Sequence, residues 1–335
     1  MAGALNMSTL KDIAREAGVS VCTISRYINN KIRVRPETAD RIKVAIKKLD
    51  YIPNNAAKTL KTNSSFNIAI LIPTLNNLLF AESSEVIREV VNEKGYSVFV
   101  YTFSNDIEQE KLLIPRLIEN RVAGVIFNTL ASNFEDFSHI DVLKTRNIPY
   151  VLINRLFDRN ITPSVNADYY TGAYLATTHL FERGKKKIGI ILGQKRQPQS
   201  EQNLNGYRAA IEENGFSYDA SLVKECSYNH FFISDLTEEL LEQGTDAVFC
   251  ITDFIAVHVI EHLKKKGLAI PQDVAVVGMG NTRFCTIIEP HLTTVDIHNQ
   301  EVAKTAASLL LKLISGEKAD TFINMNPRLV KRDST

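Results

Sequence analysis

An α/β protein with an all-helical N-terminal head is the fold class that the sequence predicts. Three observations carry the prediction. Residues 9–49 place apolar side chains at helical spacing and contain no strand-like run. From Asn67 onward, short and nearly continuous apolar runs rich in Ile and Val alternate with amphipathic stretches. That is the pattern of strands buried on both faces and joined by helices. The alternation then runs a second time, so the body divides into two lobes, each a parallel sheet built with right-handed crossovers. At 335 residues, 44% hydrophobic and 23% charged, the chain is long enough for more than one core.

In the head, Leu10, Ile13, Ala14 and Ala17 form one apolar helical face. Thr9 is placed to cap the start, since its side-chain oxygen can accept an orphan amide of the first turn. Gly18 breaks the pattern, Val19 plugs the turn and Ser20 is a second cap. Val21, Ile24, Tyr27 and Ile28 then form a second apolar set. Two short helices joined by a three-residue, Gly-containing turn make a helix-turn-helix, whose second helix can enter a DNA major groove. Thr23, Ser25, Arg26 and Asn29 flank its apolar stripe, and Arg can bond bidentately to guanine. A third helix is expected from Pro36, with Ala39, Ile42, Ala45, Ile46 and Leu49 continuing an apolar face. In Tyr51–Lys61, Pro53 keeps the residue before it out of the helical region and Asn54 can cap a helix. That helix is far shorter than the roughly 12–15 residues needed for marginal stability alone, so it needs a partner. A polar linker, TNSSF, follows at 62–66.

The first body lobe is expected to contain strands at 68–72, 96–101, 124–127 and 150–153, with helices near 82–94, 108–120 and 134–146. The second has strands at 187–192, near 222–226, at 247–251 and at 274–278, with helices at 169–182, 204–214, 233–242 and 254–266. A last helix spans about 300–313. Ligands of open α/β sheets bind outside the carboxyl ends of the strands.

Charge is unevenly shared. Residues 1–63 carry 12 Lys+Arg and 5 Asp+Glu, a net +7, which leaves −6 for the rest of a chain whose total is +1. A basic head suits a phosphate backbone, and the body suits a different partner. Enzyme signatures are missing: no phosphate loop, no G-x-S-x-G elbow and no H-E-x-x-H; the G-M-G at 278–280 falls short of a dinucleotide fingerprint. The four cysteines, Cys22, Cys226, Cys250 and Cys285, show no C-x-x-C, and His258 and His262 have no third ligand in view. No catalytic residue, metal or cofactor is expected. No apolar run approaches the roughly 18–20 residues of a membrane span, and no signal peptide is evident. A cytoplasmic location is expected.

The arrangement TLKDIAREAGVS…TISRYIN…V-x-PET…YIPN…A-K-T-L resembles the LacI/GalR family of transcriptional regulators. The body pieces NNLLFAES, DYYTGAYLATTHLFERGKKKIGIILG and IPQDVAVVGMGN…IEPHLTTVDIH extend the resemblance over essentially the whole chain. It implies a three-helix helix-turn-helix head (7–52), a hinge helix and linker (53–66), and a two-lobed periplasmic-binding-protein-like body with parallel sheets (67–335). The first lobe covers about 67–164 and 295–323, the second about 165–294 and 324–335. It further implies a repressor of carbohydrate or related catabolic genes, with a near-palindromic double-stranded operator and a small-molecule effector, a sugar or sugar phosphate, in the interlobe cleft. The end of the chain, NPRLVKRDST, carries no heptad pattern, so a homodimer rather than a tetramer is expected. The residues expected at DNA are Thr9, Leu10, Ser20, Val21, Cys22, Thr23, Ser25, Arg26, Asn29 and Arg33, with Asn54, Ala57, Lys58 and Leu60 of the hinge. By the resemblance, paired hinges enter the minor groove and Leu60 wedges into a base step.

The effector residues expected are Leu79, Phe80, Asn154, Arg155, Arg196, Asn203, Tyr228, Asp253 and Asn281, and here the sequence departs from the family. The usual Asp-Arg after the fourth strand is Asn154-Arg155. A frequent Arg is Asn203, the usual Asn-Asp is Thr252-Asp253, and the usual Gly-Phe-Asp-Asp is Gly278-Met279-Gly280-Asn281. Charged groups make hydrogen bonds roughly twice as strong as neutral ones, so the standard hydroxyl clamp is thinned. Lys195, Arg196 and Tyr228 are candidate replacements, with a solvated loop the plainer account of the two cations. Phe80 reads equally as a ring stacked on a ligand or as core. The alternatives are a vestigial pocket with a protein corepressor in control or, in another class, a sugar-binding or sugar-processing protein.

Overall fold

The computed structural model describes residues 8–28, 32–51, 65–104, 106–128, 138–155, 162–193, 197–226 and 232–335. The chain divides into two units, residues 1–64 and 65–335.

The head has three helices among its described residues: α1 (Leu10–Ala17), α2 (Val21–Ile28) and α3 (Pro36–Lys48). A capping box starts α1. The Asp12 amide donates to Thr9 Oγ1 at 3.3 Å, and the Thr9 amide donates to Asp12 Oδ2 at 2.9 Å. Hydrogen bonds from the Thr9 side chain and backbone hold the Asp12 carboxyl below its usual pKa. Gly18 ends α1 with φ +63°, a left-handed turn that suits glycine. Ser20 Oγ accepts the Thr23 amide at 3.0 Å and starts α2. Ile13, Ala14, Ala17, Ile24, Ile42 and Ala45 form the buried core, ringed by Leu10, Val19, Tyr27 and Leu49. So small a core leans on each member; burying an Ile is worth about 1.5–3 kcal/mol.

The body contains β1 (Asn67–Ile72), α4 (Leu78–Asn92), β2 (Ser97–Thr102), α5 (Ile107–Glu119), β3 (Gly124–Asn128), α6 (Ser138–Thr145), β4 (Tyr150–Ile153) and β5 (Ser164–Ala167). There follow α7 (Tyr169–Glu182), β6 (Ile188–Leu192), α8 (Pro198–Glu213), β7 (Val223–Glu225), α9 (Ile233–Glu242), β8 (Ala247–Cys250), α10 (Asp253–Lys265) and β9 (Ala275–Met279). The last elements are α11 (Phe284–Ile287), β10 (Thr293–Asp296), α12 (Asn299–Ser315), β11 (Phe322–Met325) and β12 (Arg328–Val330).

The strands make two six-stranded sheets, ordered β11-β5-β4-β3-β1-β2 and β12-β10-β9-β8-β6-β7. Every pairing is parallel except β10 with β12. Side-chain alternation splits the first sheet cleanly. Ile68, Ile70 and Ile72 of β1 pack with Ile87, Val302 and Ala306 on one face, while Ala69 and Leu71 pack with Leu113, Leu117 and Leu143 on the other. In the second lobe, Ile190, Val248 and Val276 sit in one core with Ala173, Tyr207 and Val259. Cys250 lies in that core, as its apolar run suggests.

Three sequence expectations change. The run at 96–101 reads as a strand buried on both faces, yet β2 is an edge strand with Phe99 and Val100 more than 40% exposed, at 42% and 43%. The helix expected from Glu82 starts at Leu78, because Asn77 Oδ1 accepts the Leu79 amide and caps it. Likewise Pro198 opens α8 six residues before the expected start, carrying Gln199, Ser200 and Asn203 into one helix. The chain passes between the sheets after β5, after β10 and after β11, by short, partly polar strands that periodicity does not reveal.

Helices α7 and α8 pack closely around Gly206, where a Cβ would lie 2.1 Å from the Tyr170 carbonyl oxygen. Gly206→Ala should therefore cost about 1–3 kcal/mol of body stability through overpacking, read from urea unfolding by circular dichroism. An unchanged midpoint would show that the two helices have room to part.

Candidate nucleic-acid interface and effector cleft

Helix α2 buries Ile24 fully in the head and leaves Val21, Cys22 and Arg26 exposed, Cys22 and Arg26 on the side opposite Ile24 and Val21 at its flank. Thr23 and Ser25 are half-buried beside them. Ser20 and Thr23 are tied to one another, with their hydroxyl oxygens 2.8 Å apart. Thr9 and Arg33 are exposed, and Leu10 is half-buried at the edge of the core. One helix thus presents an apolar residue, a thiol and a guanidinium within about a turn and a half. That is the combination for a thymine methyl beside a guanine edge. Asn29, Asn54, Ala57, Lys58 and Leu60 lie outside the described residues, as does the hinge helix.

In the body, the residues that follow the carboxyl ends of β1, β6, β8, β9 and β10 meet in a cleft of about 550 Å³, open mouth included. Leu78, Leu79, Ile251, Phe254, Met279, Phe284 and Ile297 supply apolar walls. Asn77, Gln197, Gln199, Ser200, Asn203, Asp253 and Thr282 supply polar ones. Asp253, 1% exposed, sits at the start of α10. Its Oδ2 accepts from the Thr282 amide at 2.7 Å and the Thr282 hydroxyl at 2.9 Å; its Oδ1 accepts from the Thr294 hydroxyl at 2.5 Å. Burial raises its pKa against the pull of those hydrogen bonds. A smaller bay of about 190 Å³ adjoins the cleft, lined by Asn154, Asn166, Ala167, Tyr169, Pro198, Gln199 and Gln202. Between the lobes, Arg283 Nε lies 3.3 Å from Glu82 Oε1.

Three of the sequence candidates, Leu79, Asn203 and Asp253, come together in the cleft. Three stand elsewhere, and Asn154 lines the adjoining bay. Phe80 is 2% exposed in the core of the first lobe, so the packing reading of its ring applies. Asn154 has its Oδ1 engaged by the fold, accepting the Ala167 amide at 2.8 Å. Asn281 Oδ1 accepts from Arg332 Nη2 at 2.8 Å. Arg155 is buried within the first lobe, where its Nη1 donates to Glu110 Oε1 at 2.9 Å; His139 Nε2 lies 2.8 Å from the same oxygen. Arg196 and Tyr228 lie outside the described residues. Sequence reasoning missed Asn77, Gln197, Gln199, Ser200, Phe254, Thr282 and Phe284; the signal that could have found them is position, just past a strand's carboxyl end.

Burial pushes the Glu110 pKa up, but His139 and Arg155 outweigh it and hold the carboxyl below its usual value. The ion pair therefore stabilises the fold above the usual glutamate range, and that stability is lost as pH falls through the lowered value. Arg155→Met should cost about 3–5 kcal/mol by leaving Glu110 without its guanidinium. Urea unfolding at neutral pH measures this, and a variant as stable as the parent would return Arg155 to the list of ligand residues.

A helix-turn-helix head joined in one chain to a two-lobed α/β body with a cleft at its strand ends defines a DNA-binding regulator with a small-molecule site. Residues 9–54 match the bacterial regulatory proteins of the lacI family, and residues 177–335 match a periplasmic binding protein-like domain. Catabolite control protein A of Priestia megaterium is 30% identical over 331 residues, 98% of this chain and 99% of that protein. The HTH-type transcriptional repressor PurR of Haemophilus influenzae (strain PittEE) is 32% identical over 336 residues, 98% of each. Among solved structures, the lac repressor dimer bound to operator and the anti-inducer ONPF aligns with a TM-score of 0.84 at 24% identity. That alignment covers 98% of this chain and 99% of the other, and speaks for the fold. The chain belongs to the LacI family of bacterial regulatory proteins. It is a transcriptional regulator that binds DNA, not an enzyme. No helix among the described residues is long and apolar enough to cross a membrane.

Proposed function

We propose that this protein is a cytoplasmic repressor that binds a near-palindromic operator as a homodimer and answers to a small molecule held in the cleft of its body. The relatives that support this reading are named as a catabolite control protein and a transcriptional repressor, and carbohydrate or related catabolic genes are the proposed targets. The observation that carries it is that α2 buries Ile24 in the head while Val21, Cys22 and Arg26 stay exposed. Two-fold symmetry of the dimer requires two half-sites in the DNA. The proposed division of labour is residues 7–52 for reading, 53–66 for the hinge and 67–335 for the effector and dimerisation. Leu79, Asn203 and Asp253 are the proposed effector residues from the sequence, joined by Gln197, Gln199, Ser200 and Thr282.

Arg26 carries most of the base discrimination, because Val21 offers only an apolar surface and Cys22 a weak donor. With an operator selected from random duplexes by the parent chain, Arg26→Ala should cost about 1–3 kcal/mol while sparing random DNA more. Equal losses on both would remove α2 from the role of reader. In the hinge, an apolar wedge can unstack a base step and kink the duplex. Leu60→Ala should weaken operator binding and reduce bending, seen as a mobility shift on circularly permuted fragments, with body unfolding unchanged. A variant that bends DNA like the parent rejects the wedge.

A further inference from the structure

Three carboxamides line the bay and the cleft, and each nitrogen has a partner in the protein. Asn166 Nδ2 donates to Ser164 Oγ at 3.1 Å, Gln199 Nε2 donates to the Asn154 carbonyl, and Asn203 Nδ2 donates to the Gln199 carbonyl at 2.8 Å. The Gln199 and Asn203 nitrogens meet backbone carbonyls, which only accept, and this sets the orientation of those two amides; Asn166 faces a hydroxyl, which can donate or accept. Each oxygen (Asn166 Oδ1, Gln199 Oε1, Asn203 Oδ1) is buried without a hydrogen-bond partner, as is Ser200 Oγ. The residues are 1%, 5% and 1% exposed. Buried acceptors of this kind are ordinarily paired. Asn166 belongs to the first sheet and Gln199 to the second lobe, so the row spans the junction of the lobes. The Asp253 carboxylate stands further along the same cleft, and none of the described residues lining it is cationic.

We propose that these oxygens form an acceptor row that reads hydrogen-bond donors on the effector, with Gln199 and Asn203 as the specificity-determining pair. This deepens, and rests on, the reading of the cleft as the effector site. The row calls for hydroxyl or N–H groups at spacings that reach both lobes. It repels a phosphate or carboxylate, which would set lone pairs against lone pairs. An apolar face on the ligand matches Leu79, Phe254 and Phe284. A donor group in the bay satisfies acceptors from the two lobes at once and so holds the lobes together. Occupancy then favours one lobe geometry over another.

Melting of the full-length protein, followed by circular dichroism without added ligand, tests the row first. Asn203→Leu removes an unpaired acceptor and should raise the melting temperature by a few degrees; Asn203→Asp adds charge to the same acceptor and should lower it. A fall with Asn203→Leu as large as that with Asn203→Asp makes Asn203 a structural residue and overturns the proposal. The second arm uses D-glucose, D-ribose and adenine as neutral donor-bearing probes, against glucose 6-phosphate and citrate as anions. Stabilisation by a neutral probe that is lost in Asn203→Leu supports the row. Stabilisation by an anion that survives in Asn203→Leu overturns it. Neither readout depends on DNA, so failure of the parent to retain duplex would count against the regulatory reading alone.

Discussion

The two lobes of the body are joined where the chain passes between the sheets: after Ala167, after Asp296 and after Met325. Everything the body can do depends on that constraint. Each sheet is covered by its own helices and holds its own apolar core, so the lobes can move as rigid pieces. Polar contacts stand at the crossings, and Leu79 and Ala167 of the first lobe join the apolar core of the second. Asp296 pairs with Arg328 at 3.0 Å, the Asp168 amide donates to the Met325 carbonyl at 3.1 Å, and Asp168 caps the following helix through the Thr171 amide. A small ligand needs to change the relative free energy of two lobe geometries by only a few kcal/mol to shift their populations. Coupling between the cleft and the DNA is reciprocal by linkage.

Asp253 shows how the same scaffold fixes the cleft's floor. A carboxylate 1% exposed needs partners, and Thr282 and Thr294 supply three hydrogen bonds. Its oxygens are thereby turned toward β10 and the loop after β9, which makes Asp253 as much an organiser of the second lobe as a ligand group. The interlobe Glu82–Arg283 pair is different in kind. With Arg283 68% exposed, solvent screens it and it contributes little.

Most of the architecture was legible in the sequence, because buried parallel strands read as unbroken apolar runs and the helices between them keep their period. What escaped was short or polar. The strand sequences SVNA and TTVD, β5 and β10, lie where the chain crosses between lobes and carry too few apolar residues to show a pattern. The cleft was only partly legible for a different reason. Leu79, Asn203 and Asp253 could be placed by resemblance, but Asn154 and Arg155 occupy family ligand positions while serving the fold. Asn154 ties the backbone at Ala167, and Arg155 balances Glu110. A residue type names its chemistry; only its partners decide whether that chemistry is spent on the fold or left for a ligand.

The head carries +7 and the rest of the chain −6, so the charge that meets phosphate is concentrated in about sixty residues. The salt dependence of duplex binding by the full-length protein tests the central claim, that this head binds DNA through its backbone and reads it with α2, more directly than any substitution. The account predicts that log K falls linearly with log salt, with a slope of about −0.9 per neutralised phosphate and several phosphates engaged. It also predicts a residual preference for the selected duplex over random DNA at every salt concentration. A binding constant indifferent to salt, or equal for both duplexes throughout, would contradict it.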